Sequence, residues 1–210
     1  MPSKMLEFAQ SLGLPLTPAQ GEQLLAFAQC VWQKKEQLNL TGASSLEEII
    51  LRHICDGLVA AAEVKNRGLW QAHLADAGAG CGYIGLTLAV ALPAAQVTLL
   101  ESLEKRCKFM YWAVLQIGLK NATVRQVHLG AQTPFAFDLV SERAMGTLPA
   151  IAHTCLSAVK AGGIFMAFQG EHPQTDQVVC TQGTFEKDIA YQLPCDNKTR
   201  HLVLFKKNYA

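Results

Sequence analysis

Three glycines at alternate positions, between a short apolar run and a longer one, constrain this chain more than any other feature. Segment 76–82 reads Asp-Ala-Gly-Ala-Gly-Cys-Gly, with a strand predicted over 73–77 and a helix over 83–92. Glycines allow a sharp turn and let the backbone approach a ligand where a Cβ atom would collide. The next helix offers free N–H groups and the positive end of its dipole. We therefore expect a strand–loop–helix unit that binds a ligand.

Strands and helices alternate along the rest of the chain after Trp70. The apolar patterns predict strands over 96–100, 123–127, 137–141 and 164–168, and helices over 102–117 and 148–159. Such alternation is typical of a parallel sheet with helices on both faces. Runs 185–191 and 201–205 predict an antiparallel hairpin at the C-terminal edge. The predicted fold class is therefore α/β and Rossmann-like, with a mostly parallel sheet.

The N-terminal part of the chain, residues 5–65, carries helical signals instead. Thr17 and Pro18 are typical of a helix start, and apolar residues over 24–32 recur at helical spacing. Ser45 with Glu48 three residues later forms a capping box before another helix. We expect residues 1–66 to form a helical portion that packs on an α/β core of residues 67–210 as one structural unit.

Composition narrows the class of protein. The formal charge of +1 argues against coating nucleic acid through bulk charge, although a local basic patch is compatible with it. Seven cysteines without a CxxC pair predict reduced, mostly buried thiols and no metal site. The N-terminus does not resemble a signal peptide, and Pro93 and Gln96 interrupt the longest apolar stretch. A cytoplasmic protein without a membrane segment is expected.

Glu101, at the end of the second predicted strand, indicates that the ligand contains a ribose. It follows Gly80 by 21 residues, and a carboxylate there can accept both ribose hydroxyl hydrogens. S-adenosylmethionine (SAM) suits a loop that begins at Asp76, because an anion favours its sulfonium and amino groups. Residues 80–85 also read GxGxxG, so an NAD-dependent oxidoreductase is an alternative. That register places Asp76 inside the first strand, where a charge is hard to bury, and we favour SAM.

Six motifs in a fixed order extend the pattern over nearly the whole chain. They are Asn39-Leu40-Thr41, Arg52-His53-x-x-Asp56, the glycine loop through Gly85, Leu99-Leu100-Glu101-Ser102-x-x-Lys105-Arg106, Ser141-x-Arg143-Ala144 and Arg200-His201-Leu202-Val203. With them the chain resembles the RsmG (GidB) family. The resemblance implies a Rossmann-like SAM-dependent methyltransferase fold. It also implies methyl transfer to N7 of a guanine in 16S ribosomal RNA, at nucleotide 527 in standard numbering.

The resemblance also assigns roles to residues. Those expected at the reacting centre are Asn39, His53 and Arg143. Those expected to bind SAM are Asp76, Gly78, Gly80, Gly82, Tyr83, Glu101, Leu129, Gly130 and Arg143. The chain departs from the family pattern at Tyr83-Ile84, Gly57, Gly130, Glu142 and Gln169.

Ordinary structural roles compete with three of these assignments. Asn39 suits a helix C-cap, because asparagine tolerates left-handed geometry. His53 could be a histidine whose partner is Asp56, three residues on. Arg143 could be a surface arginine paired with Glu142.

RNA contacts are expected at the basic residues Lys105, Arg106, Lys108 and Arg200. A solvated helix face explains the run of basic residues from Lys105 equally well. The three tryptophans, Trp32, Trp70 and Trp112, are predicted to be core residues rather than base-stacking platforms. The expected partner of a monomer is 16S rRNA or the small ribosomal subunit. A SAM-binding ribosome-assembly factor without transfer activity is the non-enzymatic alternative.

Overall fold

A single seven-stranded sheet forms the centre of the molecule in the computed structural model, which describes residues 2–130, 135–171, 173, 175, 178 and 180–209. Its strand order is β3-β2-β1-β4-β5-β7-β6. The strands are β1 His73–Ala77, β2 Gln96–Glu101, β3 Ala122–Gln126, β4 Phe137–Glu142, β5 Val159–Gln169, β6 Gly183–Tyr191 and β7 Arg200–Lys207. The first five pair in parallel, and β7 pairs antiparallel with both β5 and β6. The predicted sheet and its antiparallel edge are confirmed.

Helices cover both faces of this sheet, as predicted. They are α1 Pro2–Ser11, α2 Pro18–Leu38, α3 Leu46–Glu48, α4 Cys55–Asn66, α5 Tyr83–Ala91, α6 Glu104–Gln116 and α7 Leu148–Ser157. Thr17 caps α2 through the reciprocal hydrogen bonds of a capping box with Gln20. Between α3 and α4 the chain widens into a π-helical segment, Ile49–Ile54. Such wider turns are frequent at functional sites, and this one carries His53.

The point at which the strand order reverses lies between β1 and β4. Asp76 of β1 lies beside Leu99 of β2 on one side and Ser141 of β4 on the other. Open α/β sheets bind ligands in the crevice at the carboxyl ends of the strands beside such a reversal. The loops that leave β1 and β4 therefore frame the candidate site.

The N-terminal helices share their apolar core with one face of the sheet. One buried cluster contains Phe27 of α2, Ile54 and Leu58 together with Leu74 of β1 and Leu99 of β2. A second cluster lies under α7 on the other face. This continuity is compatible with one structural unit, and the boundary between residues 66 and 67 stays a prediction.

The cysteines fit the expectation of reduced thiols: all seven are free, and five of them are buried. The expectation for the tryptophans is wrong at two positions. Trp70 is 47% exposed and Trp32 is 37% exposed, with Nζ of Lys35 lying 4.5 Å from the Trp32 ring centroid. Across the described residues we find no helix with the length and apolar character of a membrane span, and no cluster of metal-binding side chains.

Candidate functional site

The glycine loop adopts a backbone that only glycine accepts easily. Gly78, Gly80 and Gly82 have φ angles of 59°, 62° and 89°, in the left-handed region. A Cβ atom on Gly78 would lie 2.4 Å from Cγ of Met145, and one on Gly82 would lie 2.9 Å from a methyl of Leu86. The turn therefore favours glycine at all three positions, and close packing adds to that requirement at Gly78 and Gly82.

Asp76 lies inside the sheet rather than in the loop, because β1 continues through Ala77. Its carboxylate is buried and accepts hydrogen bonds from Gly85 N at 2.8 Å and from the Ser141 hydroxyl at 3.2 Å. Burial raises the pKa of Asp76 to about 6 despite these donors. The expectation that the loop begins at Asp76 is thus wrong, and the strand does bury an acidic group.

Glu101 ends β2 beside the loop and is almost completely buried. One carboxylate oxygen accepts from Gly80 N and the other from Leu103 N, both at 2.9 Å. The Arg106 guanidinium lies 3.6 Å from the first oxygen. Glu101 therefore holds the glycine loop in place. Its Oε1 also accepts from the Ser102 hydroxyl at 3.3 Å, so the remaining acceptor capacity for a ribose hydroxyl lies on Oε2.

A cavity of about 240 Å³, the loop cavity, lies over the glycine loop. It is lined by Leu40, Thr41, His53, Asp76, Gly78, Ala79, Gly80, Cys81, Tyr83, Ile84, Arg106, Arg143 and Ala144. Its wall combines exposed loop backbone, apolar side chains and two guanidinium groups. Such a surface fits a cofactor whose polar end hydrogen-bonds to loop backbone and whose remaining part packs on apolar side chains.

A second cavity of about 470 Å³, the arginine cavity, shares His53, Arg143 and Ala144 with the first. Its remaining lining residues are Arg52, Asp56, Gly146, Phe168, Gln169, Gly170, Tyr191 and Arg200. Three guanidinium groups, one carboxylate, an amide and two aromatic rings suit a planar, polar, anionic ligand such as a nucleotide.

Arg143 joins the two cavities through a network that the sequence did not reveal. Its Nη1 donates to Oδ2 of Asp56 at 2.9 Å, and the Tyr191 hydroxyl donates to Oδ1 at 2.8 Å. The guanidinium carbon also lies 5.1 Å from the centroid of the Tyr83 ring. Arg143 is therefore not the surface arginine paired with Glu142 that the alternative predicts.

His53 stacks on Tyr83, with ring centroids 4.4 Å apart and an interplanar angle of 18°. Its Nδ1 is buried without a hydrogen-bond partner among the described residues. Burial, together with the positive charges of Arg143 and Arg52, lowers the pKa of His53 to about 3. His53 is thus neutral at physiological pH, and the alternative in which Asp56 is its partner is wrong, since Asp56 is bound by Arg143 and Tyr191.

Three predicted residues lie at the margin of the site. Asn39 is exposed and forms the left-handed C-cap of α2 (φ 50°), directly before Leu40 of the loop cavity. Leu129 packs in the second apolar cluster, and the carbonyl of Gly130 accepts a long contact from Ser157. The roles of these residues toward substrate or cofactor stay predictions.

The predicted RNA-binding residues fall into two groups. Lys105 and Lys108 are exposed on α6, and Lys108 pairs with Glu104. Arg106 and Arg200, by contrast, line the two cavities, and Arg200 forms a bidentate pair with Asp196 at 2.7 Å. The lysines are thus placed for phosphate contacts outside the site, and the arginines for contacts within it.

Sequence reasoning missed Tyr191, Arg52 and Met145 as components of the site, and it treated Asp56 only as a partner for His53. Arg52 and Asp56 stand in one of the six motifs, so a signal existed for both of them. Tyr191 ends a strand of ordinary β pattern, and nothing local distinguishes it.

The sheet order, the glycine loop and the cavity at the reversal point define the Rossmann-like fold of the methyltransferase class. The fold resembles that of magnesium protoporphyrin IX methyltransferase from Synechocystis PCC 6803, solved with bound SAH. That comparison has a TM-score of 0.62 at 13% identity and covers 84% of this chain and 94% of that one. TrmN from Thermus thermophilus is similar at a TM-score of 0.60 and 16% identity, over 77% and 52% of the two chains.

Sequence comparison identifies the particular family. The GidB family, described as rRNA small subunit methyltransferase G, matches residues 20–203. The chain is 31% identical to ribosomal RNA small subunit methyltransferase G of Alteromonas mediterranea, over 97% of this chain and 95% of that one. It is 29% identical to the Acetivibrio thermocellus protein of the same name, over 97% and 87%.

This chain belongs to the GidB family of methyltransferases. Membership confirms the predicted resemblance, the enzyme class and SAM as the cofactor, and it decides against the nicotinamide alternative.

Proposed function

We propose that this protein transfers the methyl group of SAM to N7 of a guanine in 16S rRNA of the small ribosomal subunit, at nucleotide 527 in standard numbering. Family membership supports a ribosomal RNA substrate. The observation that carries the proposal is the common wall of the two cavities, formed by His53, Arg143 and Ala144. A cofactor over the glycine loop and a base in the arginine cavity would meet there.

Methylation of guanine N7 depends on the positioning of the base and the cofactor rather than on proton transfer. N7 of guanine carries an in-plane lone pair and no proton, so its methylation needs no general base. When bound, SAM supplies an electrophilic methyl group on a positively charged sulfur. The chain must align the N7 lone pair with that methyl and exclude water from the contact. The described lining residues accordingly offer stacking rings and hydrogen-bond donors around the shared wall.

The charges at the shared wall suit a reaction that makes the purine cationic. Neutral His53 adds no repulsion, and the Asp56 carboxylate compensates the charge of Arg143 at 2.9 Å. Arg143 keeps further N–H groups that can donate to the O6 or phosphate oxygens of a nucleotide. Within the proposal, Gly78, Gly80, Gly82, Glu101 and Tyr83 hold the cofactor, and His53 and Arg143 orient the base.

Methyl transfer to isolated small subunits tests the proposal. Subunits from cells that lack this modification would be incubated with purified protein and labelled SAM, and the digested rRNA would be examined by mass spectrometry. We expect one 7-methylguanosine per subunit, mapped to a single nucleotide. Subunits that already carry the modification are the control and should accept no label.

The same assay separates the alternatives. Binding of SAM without transfer to any subunit or naked RNA would favour a non-catalytic assembly factor. Label at another atom or in another RNA would contradict the proposed substrate. Gel filtration of the active species would test the monomer, and cell fractionation would test the proposed cytoplasmic location.

A further inference from the structure

A groove between α2 and α6, outside the two cavities described above, carries an aromatic floor and a basic rim. Its volume is about 350 Å³, and we call it the Trp112 groove. It is lined by Lys34, Gln37, Leu38, Lys105, Lys108, Phe109 and Trp112. Arg106 of α6 lines the loop cavity, and so does Leu40, two residues beyond the end of α2. The groove and the loop cavity are therefore lined by residues that are near one another in the sequence.

The floor of the groove is built from two aromatic rings. Phe109 is buried, and its ring centroid lies 5.9 Å from that of Trp112 at an angle of 48°. Trp112 is only half-buried, so part of its ring remains open to the groove. An accessible indole held by packing on one side is a platform on which a planar base can stack.

The rim of the groove carries positive charge. Among the described lining residues are three lysines and no carboxylate. Nζ of Lys34 lies 5.9 Å from the Trp112 ring centroid, Lys105 is exposed, and Lys108 is exposed and pairs with Glu104 at 2.7 Å. An apolar peptide would gain nothing from three ammonium groups, whereas a nucleotide offers both a π-face for the indole and phosphates for the lysines. Charge complementarity thus selects a nucleic acid.

We propose that the Trp112 groove binds a single-stranded ribonucleotide of the substrate, outside the target guanine. Its base stacks on Trp112, and its flanking phosphates pair with Lys34, Lys105 and Lys108. The contact is independent of base identity, since every base has a π-face. This inference rests on the proposed function in that the RNA bound there is the methyl acceptor.

Fluorescence of Trp112 tests stacking directly. Trp32 and Trp70 are the only other tryptophans in the chain, so the variant Trp32→Phe/Trp70→Phe keeps Trp112 as the single indole emitter. A single-stranded oligoribonucleotide should quench its emission, with a midpoint equal to that of RNA binding. Inorganic polyphosphate, which has charge but no bases, should bind without quenching. Equal quenching by both polyanions, or none by the oligoribonucleotide, would overturn the stacking proposal.

The affinity of Trp112 variants for the oligoribonucleotide provides a second test. Trp112→Ala should weaken oligoribonucleotide binding about 5- to 150-fold, the range for loss of one stacked base. Trp112→Phe should recover most of that loss, because it keeps an aromatic face. Trp32→Ala is the matched control: Trp32 is an exposed tryptophan of the same helix pair with a lysine on its ring, and it does not line the groove. SAM affinity should be unchanged in all three variants.

These experiments distinguish failure of the groove proposal from failure of the proposed function. If Trp112→Ala binds RNA as tightly as Trp32→Ala does, the groove is not an RNA site, although methylation would still stand. If the oligoribonucleotide quenches Trp112 and Trp112→Ala weakens its binding, but no subunit is methylated, the groove is an RNA site and the proposed function fails.

Discussion

Nη1 of Arg143 donates to Oδ2 of Asp56 at 2.9 Å and so ties the loop after β4 to the start of α4, 87 residues earlier in the chain. The Asp56 side chain is 9% exposed, and Tyr191 binds its other oxygen. Among the described residues, Arg143 donates a hydrogen bond through Nη1 alone, so further N–H groups are available for the proposed substrate. The pair therefore serves both the fold and the proposed reaction.

Removing Arg143 should harm stability and turnover together. Arg143→Ala leaves a buried carboxylate without its cation, which typically costs about 3 kcal/mol. Turnover at saturating RNA should fall far more than SAM affinity, because Arg143 lines the arginine cavity in which the base is proposed to bind. Denaturant unfolding, calorimetry with SAM and single-turnover methylation measure the three quantities.

Arg143→Ala/Asp56→Asn is the control for that prediction. Without the charged carboxylate the double variant should recover much of the lost stability, yet its turnover should stay low. Recovery of turnover as well would mean that Arg143 acts only by holding the fold.

Loss of a lysine that contacts RNA phosphates should change the salt dependence of RNA binding, whereas loss of Arg143 should change turnover. Lys105 is exposed on α6 beside the Trp112 groove. Lys105→Ala should reduce the slope of log affinity against log salt by about 0.7 to 0.9, since one fewer counterion is released. Turnover at saturating RNA should be normal. An equal change of slope in Arg143→Ala, with normal turnover, would make Arg143 merely another phosphate contact.

Local signals in the sequence were sufficient for the sheet and for the glycine loop. The predicted ends of strand β1 and helix α5 agree with the structure to within one residue. Apolar periodicity and the glycines of the turn are local signals, which depend only on residues a few positions apart. The Asp56–Arg143–Tyr191 network could not be predicted this way. Arg143 lies 87 residues from Asp56 in the sequence, and Tyr191 lies 135 residues from it. Only the packing of α4 near the ends of β4 and β6 brings the three side chains together.

Burial of polar groups was the other point at which sequence reasoning failed. The apolar pattern places Asp76 within the predicted strand 73–77, but the SAM-binding hypothesis begins the loop at Asp76, because an isolated charge is costly to bury in a strand. The structure meets that cost with two donors, one from Gly85 and one from Ser141, which lie on other elements. No pattern around residue 76 encodes those partners.

A side chain at Gly78 should abolish cofactor binding. In Gly78→Val, Cβ would lie 2.4 Å from Cγ of Met145, and valine strongly disfavours a φ of 59°. The displaced loop should lower SAM affinity beyond the range of calorimetry, while circular dichroism shows a folded protein. Gly118→Val is the matched control, because Gly118 has a φ of 67° and open space for a Cβ. It should bind SAM normally, and a parallel loss there would show that backbone strain alone is responsible.

Glu101 should contribute to SAM binding in two ways, through ribose hydroxyls and through the loop amide of Gly80. Loss of a charge-assisted partner typically costs about 1.5 to 3 kcal/mol, so Glu101→Ala should weaken SAM roughly 10- to 150-fold. Calorimetry measures the change. Glu104→Ala, an exposed carboxylate three residues on, is the control and should have no effect. A change below twofold for Glu101→Ala would exclude a ribose contact.

Glu142 should make the protein less stable as pH rises. This carboxyl is 1% exposed, and burial raises its pKa to about 8, from 4.5. The folded state then holds a proton that the unfolded state releases above pH 4.5, so stability falls between about pH 4.5 and 8.

Glu142→Gln cannot ionise and should escape this part of the loss. The difference in unfolding free energy between variant and parent should therefore grow by a few kcal/mol from pH 5 to 8. Urea titrations at several pH values measure it, with Glu104→Gln as the exposed control. A difference that stays constant with pH would show that Glu142 is ionised in the folded protein.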